Sequence, residues 1–140
     1  MPAGYSGTPL AQKLGLKERT RAVVLGAPRP YASIVAPLPA GVTLVGRLPR
    51  AAGFVHCFVT RRSELERRMP ALAEALEDSG MIWISWPKKA SGVSTDLTEE
   101  VVRATALKNR LVDVKVCAVD EVWSGLKLVR RLAERGGGGS

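Results

Sequence analysis

The chain has 140 residues, 46% of them hydrophobic, and a formal net charge of +8. That length fits one domain, and the apolar content excludes an intrinsically disordered chain. No run approaches the ~18 apolar residues of a membrane span, and Cys57 and Cys117, with no partner at metal-ligand spacing, exclude a zinc finger or a disulfide scaffold.

Charge is unevenly spread. Residues 1–70 hold eleven Lys/Arg against three Asp/Glu, whereas residues 71–140 hold ten of each, so the excess lies in the first half. Such an asymmetry admits an anionic partner. Met1 to Thr8 lacks an apolar signal core and the cysteines are few, so a reduced, cytoplasmic setting is expected. Residues 1–135 read as one α/β domain, followed by a Gly/Ser tail over 136–140.

Thr8 to Leu14 predicts a short helix, with Thr8 as cap, Pro9 at its first position and Gly15 at its end. Arg21 to Leu25 predicts a buried parallel strand, broken by Gly26-Ala27-Pro28-Arg29-Pro30. A stunted helix over Tyr31 to Val35 precedes Pro37 and Pro39, and two strands follow, over Val42 to Val45 and Phe54 to Thr60. Ser63 to Asp78 is the clearest helix: Ser63 and Glu66 form a capping box, Leu65, Met69, Leu72, Ala73 and Leu76 share a face, and Pro70 predicts a kink or restart. Met81 to Trp86 predicts a fourth strand. Asp96 to Ala106 predicts a helix capped by Asp96, with Glu99 three residues on. Val112 to Val119 and Val122 to Leu132 predict an antiparallel hairpin turning at Asp120-Glu121. Its first strand would show Asp113, Lys115 and Cys117 on one face and Val112, Val114, Val116 and Ala118 on the other. Strands alternating with helices imply a doubly wound, mostly parallel sheet of Rossmann type, closed by that hairpin.

Leu14-Gly15-Leu16-Lys17 followed by Arg21-Ala22-Val23-Val24-Leu25-Gly26, together with the terminal hairpin, resembles a shortened class I methyltransferase. The resemblance implies a six-stranded sheet of order 2-1-3-4-6-5, with the last strand inserted between the fourth and fifth. In that family an acid and a run of glycines follow the first strand, so that backbone can approach S-adenosylmethionine, and an acid follows the second strand. Here those places hold Ala27-Pro28-Arg29-Pro30 and Gly46-Arg47, and proline supplies no amide hydrogen. The expectation is therefore no cofactor, with S-adenosylmethionine considered and set aside.

A second resemblance runs along nearly the whole chain. Gly4-Tyr5-Ser6-Gly7-Thr8-Pro9-Leu10, the stretch Trp86-Pro87-Lys88-Lys89-Ala90-Ser91-Gly92 to Thr98, and Leu111 to Asp120 with Trp123-Ser124-Gly125-Leu126 are similar to a family of short bacterial proteins catalogued as a domain of unknown function. It implies a compact bacterial protein without an assigned activity.

The most informative polar stretch is the loop Trp86 to Asp96. It follows the fourth strand, and ligands of open α/β sheets bind outside the carboxyl ends of the strands. Lys88, Lys89, Ser91, Ser94 and Thr95 would contact an anion, Trp86 would form an apolar wall, and Lys115, Asp120 and Trp123 would stand behind them. The competing reading is a connector whose Ser94, Thr95 and Asp96 cap the next helix. Ser85 and Lys88 match an S-x-x-K spacing, but Ser85 ends a strand and proline intervenes, so that match is set aside. His56, the single histidine, reads as a satisfied core residue, and the cysteines as buried, inert thiols. Neither catalytic residues nor a metal site are assigned. Arg61, Arg62, Arg67 and Arg68, with Arg47 and Arg50, form a basic patch partly paired to Glu64 and Glu66, without a nucleic-acid motif.

The leading expectation is a non-catalytic, methyltransferase-like domain that binds an anionic small molecule or a protein partner at the carboxyl edge of the sheet. The alternatives are a transferase with an atypical cofactor mode and a nucleic-acid adaptor using the first-half arginines. Oligomeric state is not legible.

Overall fold

In a computed structural model, residues 8–131 are described. The opening Gly4 to Gly7 of the second resemblance, Leu132 of the hairpin and the tail over 136–140 lie outside these residues.

The elements run α1 (Leu10–Leu14), β1 (Arg21–Leu25), α2 (Tyr31–Ile34), β2 (Thr43–Val45), β3 (Ala52–Phe58), α3 (Arg62–Ala75), β4 (Leu76–Pro87), a 3-10 turn (Lys89–Ser91), α4 (Glu99–Lys108), β5 (Leu111–Ala118) and β6 (Trp123–Arg130). One six-stranded sheet has the order β2-β1-β3-β4-β6-β5. The β2-β1, β1-β3 and β3-β4 pairs are parallel, and β6 runs antiparallel to both β4 and β5. This is the order that the class I methyltransferase resemblance implied, closed by the expected antiparallel hairpin.

The apolar runs that predicted buried strands are buried on both faces. Val23, Leu25, Val55, Cys57, Ile82 and Ile84 pack with α3 and α4, while Ala22, Phe54, Phe58 and Trp83 pack with α1 and α2. Three side chains hold helix ends, two from the sheet and one from the loop before α4. Trp83 Nε1 donates to the Leu14 carbonyl at 2.8 Å. The Arg130 guanidinium donates to the carbonyls of Ala73 at 2.8 Å and Leu76 at 2.6 Å, filling acceptors that the end of α3 leaves open. At the other end of α3, Asp96 Oδ1 accepts the Arg62 amide at 2.7 Å.

That last bond corrects two capping expectations. Ser63 and Glu66 form no capping box: the N-cap of α3 is Arg61, without a side-chain bond, and Glu66 pairs with Arg62 instead. Asp96 caps α3 across 34 residues rather than α4, and α4 starts later, at Glu99, where Thr98 Oγ1 accepts the Val101 amide at 3.2 Å. Thr8 is likewise not a cap, since Pro9 holds the N-cap place of α1. Gly15 does end α1, in a left-handed conformation with φ +76°, and the Leu16 amide bonds back to the Ala11 carbonyl at 2.8 Å. The helix expected over 63–78 stops at Ala75 and continues through Pro70 as one element. Residues after it join β4, which slips register against β3 between Ala52 and Phe54.

β5 departs from simple alternation. A register shift between Asp113 and Lys115 makes Val114 the extra residue of a bulge. Leu111 therefore packs on the α3–α4 side and Cys117 on the α1–α2 side. Asp113 pairs with Arg103 of α4 at 3.1 Å, whereas Lys115 reaches the Lys13 carbonyl of α1 at 3.2 Å. The expectation that Asp113, Lys115 and Cys117 share a face fails for this reason.

Candidate functional site

β1, β3 and β4 are parallel, so the loops that leave their carboxyl ends lie together at one edge of the sheet. The chain leaves β1 towards α2, on one face, and β3 towards α3, on the other. That divergence is the switch point at which open α/β sheets form their binding crevice. Gly26 stands at it. Its φ is +72°, and a Cβ built there would lie 2.6 Å from the Phe58 carbonyl oxygen, so the turn after β1 can approach the end of β3 only as glycine.

Three loops are tied together over this edge by Asp120. Its Oδ2 pairs with Arg29, from the loop after β1, at 3.2 Å. Its Oδ1 accepts the amides of Val122 and Trp123, both at 2.8 Å, and so shapes the hairpin turn. Its carbonyl accepts Lys88 Nζ, from the loop after β4, at 2.8 Å. The hairpin connection is consequently longer than the expected two-residue turn, spanning residues 119–122.

Behind this tie lies a polar relay inside the core. The Tyr31 hydroxyl is 2.7 Å from His56 Nδ1, and His56 Nε2 is 2.7 Å from Ser85 Oγ. His56 stacks on Phe58 with ring centroids 4.3 Å apart, and Trp123 meets Phe58 edge-on at 5.3 Å. His56 and Ser85 are fully buried. Burial pushes the His56 pKa down to about 3 and raises that of Tyr31, so the imidazole is neutral at physiological pH. A neutral imidazole flanked by two hydroxyls, each able to donate or accept, is satisfied in either tautomer. His56 is thus the satisfied core residue the sequence suggested. The thiols are buried too: the Cys57 pKa rises to about 11, chiefly by desolvation, and that of Cys117 is also raised.

The residues expected to contact a ligand are placed unevenly. Lys88 sits at the edge, bonded to Asp120. Ser91 Oγ turns back to the Lys88 carbonyl at 2.7 Å and accepts the Val93 amide at 3.2 Å. Thr95 Oγ1 donates to the Thr60 carbonyl at 2.7 Å, which draws the loop over the carboxyl end of β3. Lys89 and Ser94 are exposed. Trp86 is packed into the α3–α4 side of the core and Trp123 into the α1–α2 side, so the two rings lie on opposite faces of the sheet. Lys115 is not brought to the loop: it pairs with Lys127, itself opposite Trp83, and its ammonium goes to α1.

Sequence reasoning missed Arg29, Tyr31 and Ser85 as members of this region. Arg29 and Asp120 are 91 residues apart. The signal that could have joined them is topological, because each follows the carboxyl end of a strand in the expected order. Elsewhere, a groove of about 680 Å³ lies at the amino end of the sheet, between α1 and Pro37-Leu38-Pro39. Among the described residues no group of three or more His, Cys, Asp or Glu could hold a metal ion, and no helix is long and apolar enough to cross a membrane.

No family model and no curated protein matches this sequence. Solved structures do. The fold is similar to magnesium protoporphyrin IX methyltransferase from Synechocystis PCC 6803 with bound SAM, at 14% identity over 87% of this chain and 74% of that one, with a TM-score of 0.62. The same enzyme with bound SAH gives 12% identity over 87% and 80%, with a TM-score of 0.58. LepI in complex with SAM gives 15% identity over 87% of this chain and 39% of that one, with a TM-score of 0.53. At these identities the likeness shows the architecture, which is methyltransferase-like.

The comparisons also correct the cofactor expectation. The exclusion of S-adenosylmethionine, and with it the expectation of no cofactor, is overturned, because proteins that share this fold carry SAM and SAH. Pro28 and Pro30 supply no amide hydrogens, but Gly26, Ala27 and Arg29 keep theirs, and Gly26 makes the tight turn at the switch point.

Proposed function

We propose that this chain is a methyltransferase-like binding domain that takes an S-adenosyl compound in the crevice outside the carboxyl ends of β1 and β3. The observation that carries the reading is the turn at Gly26, which only glycine can make against the Phe58 carbonyl. In dinucleotide-binding sheets the first glycine after the opening strand makes the tight turn that starts the ligand loop. Related folds with bound SAM and SAH support the choice of ligand.

The polar loop after β4 offers an ammonium and a hydroxyl to the anionic end of that ligand. Its α-carboxylate would meet Lys89 and Ser94, which are exposed. Lys88, Ser91 and Thr95, through their bonds to Asp120, the Lys88 carbonyl and Thr60, hold the loop over the edge. The proposal is for binding: Arg29 and Lys88 are each engaged with Asp120, which leaves Lys89 to face a ligand.

Calorimetry and thermal unfolding with S-adenosylmethionine, S-adenosylhomocysteine, adenosine and inorganic phosphate test the reading. At about 100 times its Kd, an S-adenosyl compound stabilises the fold by about 2.7 kcal/mol, on the order of 10 °C for a domain of this size. The Lys89→Ala/Ser94→Ala variant should lose most of the affinity for the S-adenosyl compounds and none for adenosine. Absence of any shift with both S-adenosyl compounds, or a shift with phosphate alone, overturns the proposal.

A further inference from the structure

The groove of about 680 Å³ at the amino end of the sheet has no part in the S-adenosyl reading. Its volume lies within the range of about 300–1,000 Å³ that small-molecule sites occupy. One wall comes from α1 and the turn after it, where the buried side chains of Ala11 and Leu16 line the groove. The facing wall is Pro37-Leu38-Pro39, with Leu38 packed against the α1–α2 side of the core. The rings of Pro37 and Pro39 fix their own φ. The Arg19 amide donates to the Ala40 carbonyl at 2.9 Å and so joins the second wall to the first. An apolar cleft that is already formed spares a ligand the cost of ordering it.

The exposed part of the lining is charged. Lys17, Glu18 and Arg19 follow one another there, two cations to one acid. Glu18 pairs with Arg19 at 3.4 Å, but the two side chains are 60% and 79% exposed, so the pair is weak and Arg19 can exchange it for another anion. Arg19 also has φ +60°, in the left-handed region that glycine takes freely and other side chains seldom adopt. Its stem lies over Gly41, where a built Cβ would come within 2.8 Å of Arg19 Cγ. Strained positions of this kind persist only where the surroundings impose them, and they gather at ligand sites.

We propose that this groove holds a small amphiphile of the medium-chain carboxylate class, with its apolar body between Leu16 and Leu38 and its anionic head towards Lys17 and Arg19. The match is one of charge and polarity: an apolar trough with a net positive rim complements an apolar chain with one negative end. The proposal does not depend on the S-adenosyl reading, since the Gly26 turn lies at the opposite, carboxyl edge of the sheet.

The test is heteronuclear NMR and calorimetry with octanoate, decanoate and octanol. Octanoate should shift the amide resonances of Ala11, Gly15, Leu16 and Leu38 and leave those of Gly26, Ala27 and Lys89 in place. Decanoate, two methylenes longer, should bind more tightly by up to about tenfold. Octanol should bind more weakly than octanoate by about threefold or more at low salt, and the gap should close as salt rises. Arg19→Gly removes the cation and installs the residue that takes positive φ freely, so it should hold the melting temperature and lose most of that gap. Absence of shifts with octanoate, shifts confined to the Gly26 turn, equal affinity for octanol, or a gap unchanged in Arg19→Gly overturns the proposal.

Discussion

The hydroxyl of Tyr31 lies 2.7 Å from Nδ1 of His56, inside the core on the α1–α2 side of the sheet. The contact joins α2, which carries the chain away from the Gly26 turn, to the middle of the sheet. Charging the imidazole would make both of its nitrogens donors, in a place that holds it at a pKa of about 3. The unfolded chain titrates near 6.5. Below that value the unfolded chain takes up a proton that the native one refuses, so stability falls as the pH drops from about 6.5 towards 3. This group contributes up to about 1.4 kcal/mol per pH unit. Urea unfolding at a series of pH values should show that slope in the wild type and a shallower one in His56→Gln. Equal slopes would mean that acid sensitivity comes from carboxylates alone.

The Asp96–Arg62 bond leads to a prediction about helix caps. Asp96→Ala should destabilise the fold by about 1 kcal/mol, the usual worth of a side-chain cap, through the start of α3. Thr98→Ala should cost a similar amount through α4. Ser63→Ala should cost little, since Ser63 is exposed and makes no cap bond. Chemical denaturation of the three variants checks the order, and a large loss in Ser63→Ala would show that the capping box forms after all.

Those caps mark where sequence reasoning reached and where it stopped. The buried strands were legible because the runs at Arg21 to Leu25, Phe54 to Thr60 and Met81 to Trp86 are largely apolar, as strands covered on both faces must be, whereas their order was implied by the resemblance to class I methyltransferases and is met by the sheet. Asp96 with Glu99, and Ser63 with Glu66, carried the local pattern of a capping box, yet local pattern cannot say that Asp96 will meet a helix 34 residues earlier. The bulge at Val114 has no glycine to announce it, and one extra residue is enough to send Asp113 and Lys115 to opposite faces. At the edge of the sheet, the loop after β4 could be located, but the tie of its Lys88 and of Arg29 to Asp120 could not, because those contacts exist only once the loops after β1, β4 and β5 share one edge.

Two glycines with positive φ separate backbone strain from steric contact. Gly92 has φ +80° and nothing within 4 Å of a built Cβ. Gly92→Ala should therefore cost about 1 kcal/mol, the penalty of the left-handed region by itself. Gly26→Ala adds the approach to the Phe58 carbonyl at 2.6 Å and should cost at least about twice as much. Thermal unfolding gives the comparison, and with the proposed crevice any S-adenosyl-dependent shift should fall in Gly26→Ala and persist in Gly92→Ala. Similar losses in the two variants would indicate that β1 and β3 can part at no cost.

Asp120 serves two ends, and two substitutions can tell them apart. Asp120→Asn removes the charge facing Arg29 but keeps an oxygen that can accept the Val122 and Trp123 amides. The Arg29 side chain is 47% exposed, so the lost ion pair is screened by solvent and should cost no more than about 1 kcal/mol. Asp120→Ala also strips both amides of their acceptor in a half-buried turn, which should add about 1–3 kcal/mol. The difference between the variants in denaturant unfolding therefore measures the turn, and the smaller loss in Asp120→Asn measures the tie across the edge. Raising the salt should narrow the gap between wild type and Asp120→Asn while leaving the further loss in Asp120→Ala in place, because only the ion pair is screened. If Asp120→Asn is as damaging as Asp120→Ala, the charge holds the edge together and the turn does not need the acceptor.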